Sequence, residues 1–284
     1  MGIRVLEKAD LEFAAGLTAE EGWFYTPREL DVMLRLDPEG SFVFEEEERL
    51  GFVTTVTYGR TGVLGHLVVS KKGRGRKIGG MLLKAALDYM ITQGTDSILI
   101  YSTEEGARLY RRHGFSPGLE VYCVHLELKD HAQHRISPGC QPMRRSDLKE
   151  LADFDKALFG DDRTELLKAL YDEGPKHSFK LERDGRIAGF AFARHDHIGY
   201  DLGPWVCMTG QPEDAEALFH SVLSTLDDGS TIYMGSFYKN EQAIRIIDKM
   251  PRIRSWRIPL MVRGKARYGG DLSKIFGIAA FELG

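Results

Sequence analysis

The order of apolar and polar positions along the chain predicts a fold with both strands and helices. Apolar residues recur every three or four positions over residues 78–91, which predicts an amphipathic helix. A shorter helix is predicted over 104–113, where Gly114 ends it, and the segment up to Leu36 is predicted to be largely helical. Short apolar runs predict strands at residues 3–6, 41–45, 50–58, 63–69, 97–102 and 121–128. We therefore expect an α+β fold in which a mixed, mostly antiparallel β-sheet is flanked by helices.

These elements occur twice along the chain, about 137 residues apart. The matched pairs, in order, are Asp10-Leu11 with Asp147-Leu148, Gly51-Phe52 with Gly189-Phe190, Leu82-Leu83 with Leu218-Phe219, and Leu109-Tyr110 with Ile246-Ile247. The segment between the copies is polar and contains Pro138-Gly139, as is typical of a linker. We predict an N-terminal domain over residues 1–130, a linker over 131–142 and a C-terminal domain over 143–284.

The composition is that of an ordinary globular protein. The chain has 284 residues, 43% hydrophobic and 28% charged, which suffices for two domains with their own cores. A net charge of −4 disfavours nucleic acid as a partner. Neither a transmembrane run nor a signal peptide is present, so we expect a cytoplasmic protein without a membrane partner. Cys123, Cys140 and Cys207 are too scattered for a disulfide framework or a zinc site, and no metal is expected.

A glycine-rich basic turn joins the strand at 63–69 to the helix at 78–91. Its cations are Lys71, Lys72, Arg74, Arg76 and Lys77. The N–H groups and the dipole of such a helix start attract phosphate, and glycines let a ligand approach the backbone. The glycine spacings of a P-loop and of a dinucleotide-binding turn are both absent, which excludes these two kinds of site.

Two motifs carry a resemblance to the GNAT acetyltransferases over residues 1–128. The turn resembles their pyrophosphate loop, Q/R-x-x-G-x-G/A, with Arg74 first, Gly79 last and Lys77 at the position of the first glycine. If that position has a positive φ angle, a lysine there costs on the order of 1 kcal/mol. The family pattern N-x-x-A-x-x-L-Y-x-x-x-G-F is similar to the run from Thr103 to Phe115. Thr103 replaces the asparagine and can still cap the helix, and a glycine replaces the alanine.

The resemblance implies an acyl-CoA-dependent N-acyltransferase, in the first place an N-acetyltransferase that moves an acetyl group from acetyl-CoA to a primary amine by direct attack in a ternary complex. It implies cofactor binding by Leu67, Val68, Val69, Arg74, Gly75, Arg76, Lys77, Ile78, Gly79 and Gly80. It makes Tyr110 the general acid for the leaving thiolate. His66 lies near the position of a glutamate that often acts as base in the family, and Glu20, Glu21 or a water chain are alternatives.

The second half has a similar layout without the basic turn. The run from Cys207 to Asp214 takes its place, and Glu213 and Asp214 would repel phosphate. Asn240 and Ala243 fit the family pattern, but Ile247 occupies the tyrosine position. We therefore expect a GNAT-like domain without a cofactor site of its own.

Several questions stay open at this stage. The acceptor is a small-molecule or peptide amine of unknown identity, and the sequence does not decide whether the chain forms a homodimer. A non-catalytic acyl-CoA-binding or interaction protein is the alternative function. The cluster Asp161-Asp162-Arg163 either caps a helix that begins near Thr164 or contacts a polar substrate.

Overall fold

A computed structural model of the protein describes residues 2–129, 133–209, 211–265 and 271–284. Residues 131–132 of the predicted linker and Gly210 lie outside these ranges. Contacts between Cα atoms divide the chain into two compact units. Unit 1 comprises Met1–Pro117, Met261–Arg267 and Phe281–Gly284, and unit 2 comprises Gly118–Leu260 and Tyr268–Ala280. The predicted domains are continuous stretches of sequence. Each compact unit, by contrast, also contains residues from the other half of the chain.

Unit 1 contains a sheet in the strand order β1-β2-β3-β4-β5, with residues 261–264 beside β5. The first four strands are antiparallel neighbours, whereas β4 and β5 are parallel. The elements are β1 Gly2–Val5, α1 Leu11–Glu20, α2 Pro27–Leu36, β2 Phe42–Glu45, β3 Arg49–Tyr58, β4 Thr61–Val69, α3 Ile78–Thr92, β5 Ser97–Tyr101 and α4 Glu104–Arg112. The predicted α+β class with a mixed, mostly antiparallel sheet is confirmed.

Helix α3 buries the side chains that its sequence period selects. These are Leu82, Leu83, Ala86, Leu87 and Met90, together with Ile78 at its start. They pack in one cluster with β-strand residues of unit 1 and with Ala107 and Tyr110 of α4. Because α3 and α4 share this cluster, the elements that carry the two sequence motifs are fixed against one another.

Unit 2 contains strands in the order β6-β11-β10-β9-β8-β7, with β13 also paired to β10. The elements are β6 Ser116–Glu127, which begins in unit 1, then β7 Cys140–Pro142, α5 Leu148–Phe159, α6 Thr164–Glu173, β8 Ser178–Arg183, β9 Arg186–Asp196, β10 Gly199–Cys207, α7 Pro212–Leu223, β11 Thr231–Phe237, α8 Glu241–Ile247, β12 Arg252–Gly264, which ends in unit 1, and β13 Ile275–Gly277. The strand predicted to close the first half, β6, instead pairs with β11 over residues 121–127. None of the described helices is both long and apolar enough to cross a membrane.

Equivalent glycines show the internal repeat at the level of packing. A Cβ atom on Gly51 would lie 2.7 Å from the carbonyl oxygen of Val68, and one on Gly189 would lie 2.7 Å from that of Val206. In both units the same glycine therefore allows the same close approach of two strands and a helix.

The charged cluster before α6 has a structural role. Asp162 accepts hydrogen bonds from the backbone N–H of Thr164 at 2.9 Å and from its hydroxyl at 2.5 Å. Arg163 is buried, pairs with Asp155 at 2.7 Å and lies over the ring of Phe159. Asp162 therefore bonds the first residue of α6, as part of the capping prediction requires, whereas Arg163 at the N-cap position makes no side-chain cap hydrogen bond.

The three cysteines are free and buried. Cys123 lies in β6, and burial raises its pKa to about 12. A thiol in this setting is inert at neutral pH, as expected of a packing residue.

Candidate active site

The predicted phosphate turn lies between the end of β4 and the start of α3. Within the turn, Gly73 N donates to Ser70 O at 2.9 Å. At the helix start, Met81 N donates to Lys77 O at 3.1 Å. The N–H groups of residues 78–80 precede this bond and therefore lie outside the intrahelical ladder, where an anion can accept hydrogen bonds from them.

Lys77 adopts the left-handed backbone conformation, with φ 64° and ψ 10°, directly before α3. The condition stated for this position, a positive φ angle, is therefore met. Lysine reaches it at a cost on the order of 1 kcal/mol, and glycine reaches it freely. The turn therefore keeps the backbone path of the motif although the residue differs.

The two sequence motifs meet at Gly79. A Cβ atom on Gly79 would lie 3.6 Å from Val69 Cγ2 at the end of β4 and 3.8 Å from Leu109 Cδ2 on α4. One on Gly80 would lie 4.0 Å from His113 Nε2. These are ordinary contact distances, so packing does not require glycine at either position. Since a helical glycine costs roughly 0.5–1 kcal/mol relative to alanine, the pair points to a ligand that approaches the backbone.

Carboxylates neutralise three cations of the turn. The pairs are Lys72 with Glu48 at 2.8 Å, Arg76 with Glu46 at 2.7 Å, and Arg74 with Glu21. All three pairs are solvent-accessible and therefore weak, so a phosphate group can replace the carboxylates. Of the two glutamates considered as base, Glu21 forms an ion pair with Arg74 of the turn. Glu20 lines a cleft of about 750 Å³ beside α1 and the β2–β3 hairpin.

Strands β4 and β5 separate partway along β4. Their parallel ladder joins Thr61–Val63 to Ser97–Leu99. Beyond it, Thr54 of β3 lies opposite the two residues Gly65 and His66, which form a bulge. Leu67, Val68 and Val69 follow the bulge and remain paired with β3. The predicted cofactor segment therefore lies where β4 has left its ladder with β5.

Tyr110 is 7% exposed and packs its ring over Gly106 of the same helix. A Cβ atom on Gly106 would lie 2.8 Å from Tyr110 Cε2, which explains the glycine in place of the motif's alanine. Burial raises the pKa of the phenol, so it keeps its proton at neutral pH. Thr103 caps this helix by accepting a hydrogen bond from Gly106 N at 3.2 Å, as predicted.

His66 lies buried in the bulge. Its Nδ1 atom is 3.1 Å from Thr54 Oγ1, and its Nε2 atom is shielded from solvent and has no hydrogen-bond partner in the described part of the chain. Burial lowers the pKa of the imidazole to about 3, so His66 is neutral at neutral pH. A base works best with a pKa near the working pH, and the role of His66 stays a prediction that this environment disfavours.

Two residues that no motif indicated lie beside this bulge. Glu282, in the segment Phe281–Gly284, is 6% exposed and accepts a hydrogen bond from the Tyr25 hydroxyl at 3.0 Å. A Cβ atom on Gly65 would lie 2.9 Å from Glu282 Cβ. The ring of Tyr25 meets that of His66 edge-on, with the centroids 4.2 Å apart. A carboxylate, a phenol and an imidazole are thereby brought together from three distant parts of the chain.

In unit 2, β10 and β11 correspond to β4 and β5. Where β10 and β11 separate, a third strand, β13, pairs with β10. The parallel ladder of β10 and β11 joins Gly199–Asp201 to Thr231–Tyr233. From Trp205 onward, β13 pairs with β10, and Ile278 N then donates to Gly235 O of β11 at 3.0 Å. The space between these two strands is therefore filled by the chain itself.

The start of α7 takes the place of the α3 start in unit 2. Pro212 is its first residue, and Asp214 in its first turn forms an ion pair with Arg183. Ile247, at the tyrosine position of α8, is fully buried. Asn240 caps α8 by accepting a hydrogen bond from Ala243 N at 3.0 Å, as Thr103 caps α4.

Comparison with family models agrees with this repeated architecture. A model described as an acetyltransferase (GNAT) domain matches residues 151–277. A second model with the same description matches residues 37–117. The two matches fall on the two halves in which the repeat was found.

Similar proteins and structures match the chain over about two thirds to nearly all of its length. Holothin acyltransferase of Pseudoalteromonas sp. (strain SANK 73390) is 24% identical over 267 residues, which cover 93% of this chain and 88% of that protein. The N-acetyltransferase YitH of Bacillus subtilis (strain 168) is 21% identical over 189 residues, or 66% of each chain. A crystal structure from Pyrococcus horikoshii has a TM-score of 0.80 at 20% identity, covering 99% of this chain and 95% of that chain, which shows the same fold.

Proposed function

Because the chain belongs to the GNAT family of acetyltransferases and carries two GNAT domains in tandem, we propose that it is an acetyl-CoA-dependent N-acetyltransferase with its acyl-CoA site in unit 1. Acyl transfer is the activity of the family. The observation that carries the assignment to unit 1 is the meeting of β4, the start of α3 and α4 at Gly79, where a glycine pair lies open to a ligand.

The residues of the turn fit the pyrophosphate of acetyl-CoA. The N–H groups of residues 78–80 would donate hydrogen bonds to it, and the cations of the turn, which here pair with glutamates, would pair with phosphate oxygens instead. The backbone of Leu67–Val69 would hold the pantetheine arm, because β4 has left its ladder with β5 there. When bound, acetyl-CoA supplies the thioester that an amine attacks.

The chain then contributes orientation and one proton. Holding the amine beside the carbonyl carbon makes the attack effectively intramolecular. Backbone N–H groups at the end of β4 polarise the carbonyl oxygen. Tyr110, which is protonated at neutral pH, donates its proton to the leaving sulfur.

The acceptor is a primary amine on a small molecule or a peptide. The name of the holothin acyltransferase, which is similar along most of the chain, makes small-molecule amines the first group to test. A panel should include holothin, aliphatic and aromatic amines, amino acids, aminosugars and short peptides, with thiol release as the readout.

Enlarging residue 79 tests the site. A Cβ atom at position 79 makes only ordinary contacts, so Gly79→Ala should fold with unchanged or higher melting temperature. Gly79→Leu adds a larger side chain beside Val69 and Leu109, so its melting temperature is measured first, and its titration is interpreted when that temperature matches the wild type. Calorimetric titration should show acetyl-CoA affinity reduced on the order of tenfold by alanine and lost with leucine, because the side chain fills the approach to the backbone. Gly16→Ala is the matched control, since a Cβ atom there meets nothing within 4 Å in α1.

Two results would contradict the proposal in different ways. Wild-type affinity in Gly79→Leu would remove the cofactor site from this turn. Acetyl-CoA binding without thiol release on any amine of the panel would instead support the non-catalytic alternative.

A further inference from the structure

The reaction needs a group that takes a proton from the amine, and the structure offers a buried carboxylate beside the bulge of β4. We propose that Glu282 is this base. The inference rests on the proposed function and adds a residue that neither the motifs nor the comparisons indicate.

The placement of Glu282 is tightly defined within unit 1. Its Cβ atom lies against the face of β4 where only glycine fits at position 65, since an added Cβ would come within 2.9 Å. The neighbouring residues of its segment are also held: Phe281 packs on Tyr101 of β5 with ring centroids 5.3 Å apart, and Leu283 O accepts a hydrogen bond from Tyr58 at 3.0 Å. The carboxylate is therefore presented at the level where β4 and β5 separate.

The surroundings of Glu282 suit an amine and the group that carries it. The Tyr25 hydroxyl donates to Oε2, which holds the carboxylate in one orientation. His66 Nε2 is a buried nitrogen without a partner in the described ranges, in the same cluster. Trp23, 37% exposed, lies with its ring centroid 6.4 Å from that of His66 and provides an apolar wall. Amines that carry an apolar or aromatic group are therefore expected among the preferred acceptors.

The proton balance of the reaction is complete with these residues. The amine nitrogen forms a bond to the carbonyl carbon, and the bond from that carbon to sulfur breaks. The carboxylate of Glu282 takes one proton from the bound ammonium, which frees the lone pair for the attack. The nitrogen releases its second proton to solvent as the amide forms, and the sulfur takes the proton of Tyr110. Proton exchange with solvent afterwards restores both side chains.

Glu282→Gln is the decisive variant, because the amide oxygen still accepts the Tyr25 hydrogen bond while the group no longer takes a proton at neutral pH. With the best amine of the panel, we expect kcat to fall roughly 10²–10⁴-fold and the acidic limb of the pH profile to disappear. Binding of that amine to CoA-saturated protein, measured by calorimetry, should weaken on the order of tenfold, because an ammonium group loses a charged partner. Acetyl-CoA affinity should stay within twofold.

The controls separate catalysis from folding. Glu241→Gln makes the same change at an exposed helix position of unit 2, where the side chain is 81% exposed, and should leave all these measurements unchanged. Glu282→Gln with wild-type kcat and pH profile would overturn the inference, as would a fall in kcat that only follows a fall in melting temperature with the pH profile intact. A wild-type protein that binds acetyl-CoA and acetylates no amine of the panel would instead defeat the proposed function, and this inference with it.

Discussion

Burial sets the protonation of two side chains near the predicted site. It raises the pKa of the Tyr110 phenol and lowers that of the His66 imidazole to about 3. At neutral pH the first therefore holds its proton, as a general acid must, and the second remains neutral with little tendency to take one up. The buried imidazole of His66 is therefore poorly suited to act as the base, which favours Glu282 in this role.

The Tyr110 hydroxyl can be removed without disturbing the fold. In Tyr110→Phe the ring still covers Gly106, so acetyl-CoA affinity and melting temperature should match the wild type. Turnover should fall roughly 10²–10⁴-fold, because the leaving sulfur loses its proton donor. Tyr89→Phe is the matched control on α3, where the hydroxyl bonds Asp37 instead, and should keep its turnover. Full activity of Tyr110→Phe would show that another group protonates the sulfur.

At the scale of elements, local pattern predicted α3 and α4 to within a residue at each end. Their boundaries depend on near neighbours: the apolar period of α3 and the Thr103 cap and Gly114 end of α4. The pairing of β6 with β11 and the insertion of β13 depend on contacts between distant segments, which no local pattern encodes. The approach of Glu282 to Gly65 belongs to the same class, so the sequence left the base undecided.

The turn before α3 contains a strained residue that can be relieved. Lys77→Gly should raise the free energy of unfolding by about 0.5–1 kcal/mol. Glycine adopts the observed φ of 64° without the steric strain of a Cβ atom, and this gain exceeds the greater conformational entropy that glycine loses on folding. Urea unfolding at constant pH measures this. Lys71→Gly is the control within the same turn; its φ is not positive, and glycine should bring no gain. Destabilisation by Lys77→Gly would show that the lysine side chain stabilises the turn more than its conformation costs.

At the scale of the molecule, the two units share the same arrangement of strands and helix but differ in the residues placed at the bulge and at the helix start. Both have the parallel strand pair, the bulge and the helix that follows. At the bulge, unit 1 places Glu282 against Gly65, whereas unit 2 places Ile278 O against Gly203. Unit 1 keeps a glycine pair open at its helix start, whereas unit 2 has a proline and an aspartate already paired with Arg183. The repeat therefore preserves the framework, whereas the residues at the bulge and at the helix start differ between the units.

This asymmetry predicts one acetyl-CoA site per chain. Where β10 and β11 separate, β13 and Ile278 occupy the space and form hydrogen bonds that a pantetheine arm would have to break. Calorimetric titration of the intact chain should therefore give a stoichiometry of one, and Gly79→Leu should abolish it. The intact chain is the right material, because a fragment of the second half alone would lack β6, the partner of β11. The matched variant Glu213→Gln removes a carboxylate at the start of α7 and should change neither stoichiometry nor affinity. A second site, or binding that survives in Gly79→Leu, would show that unit 2 opens to receive the cofactor despite β13.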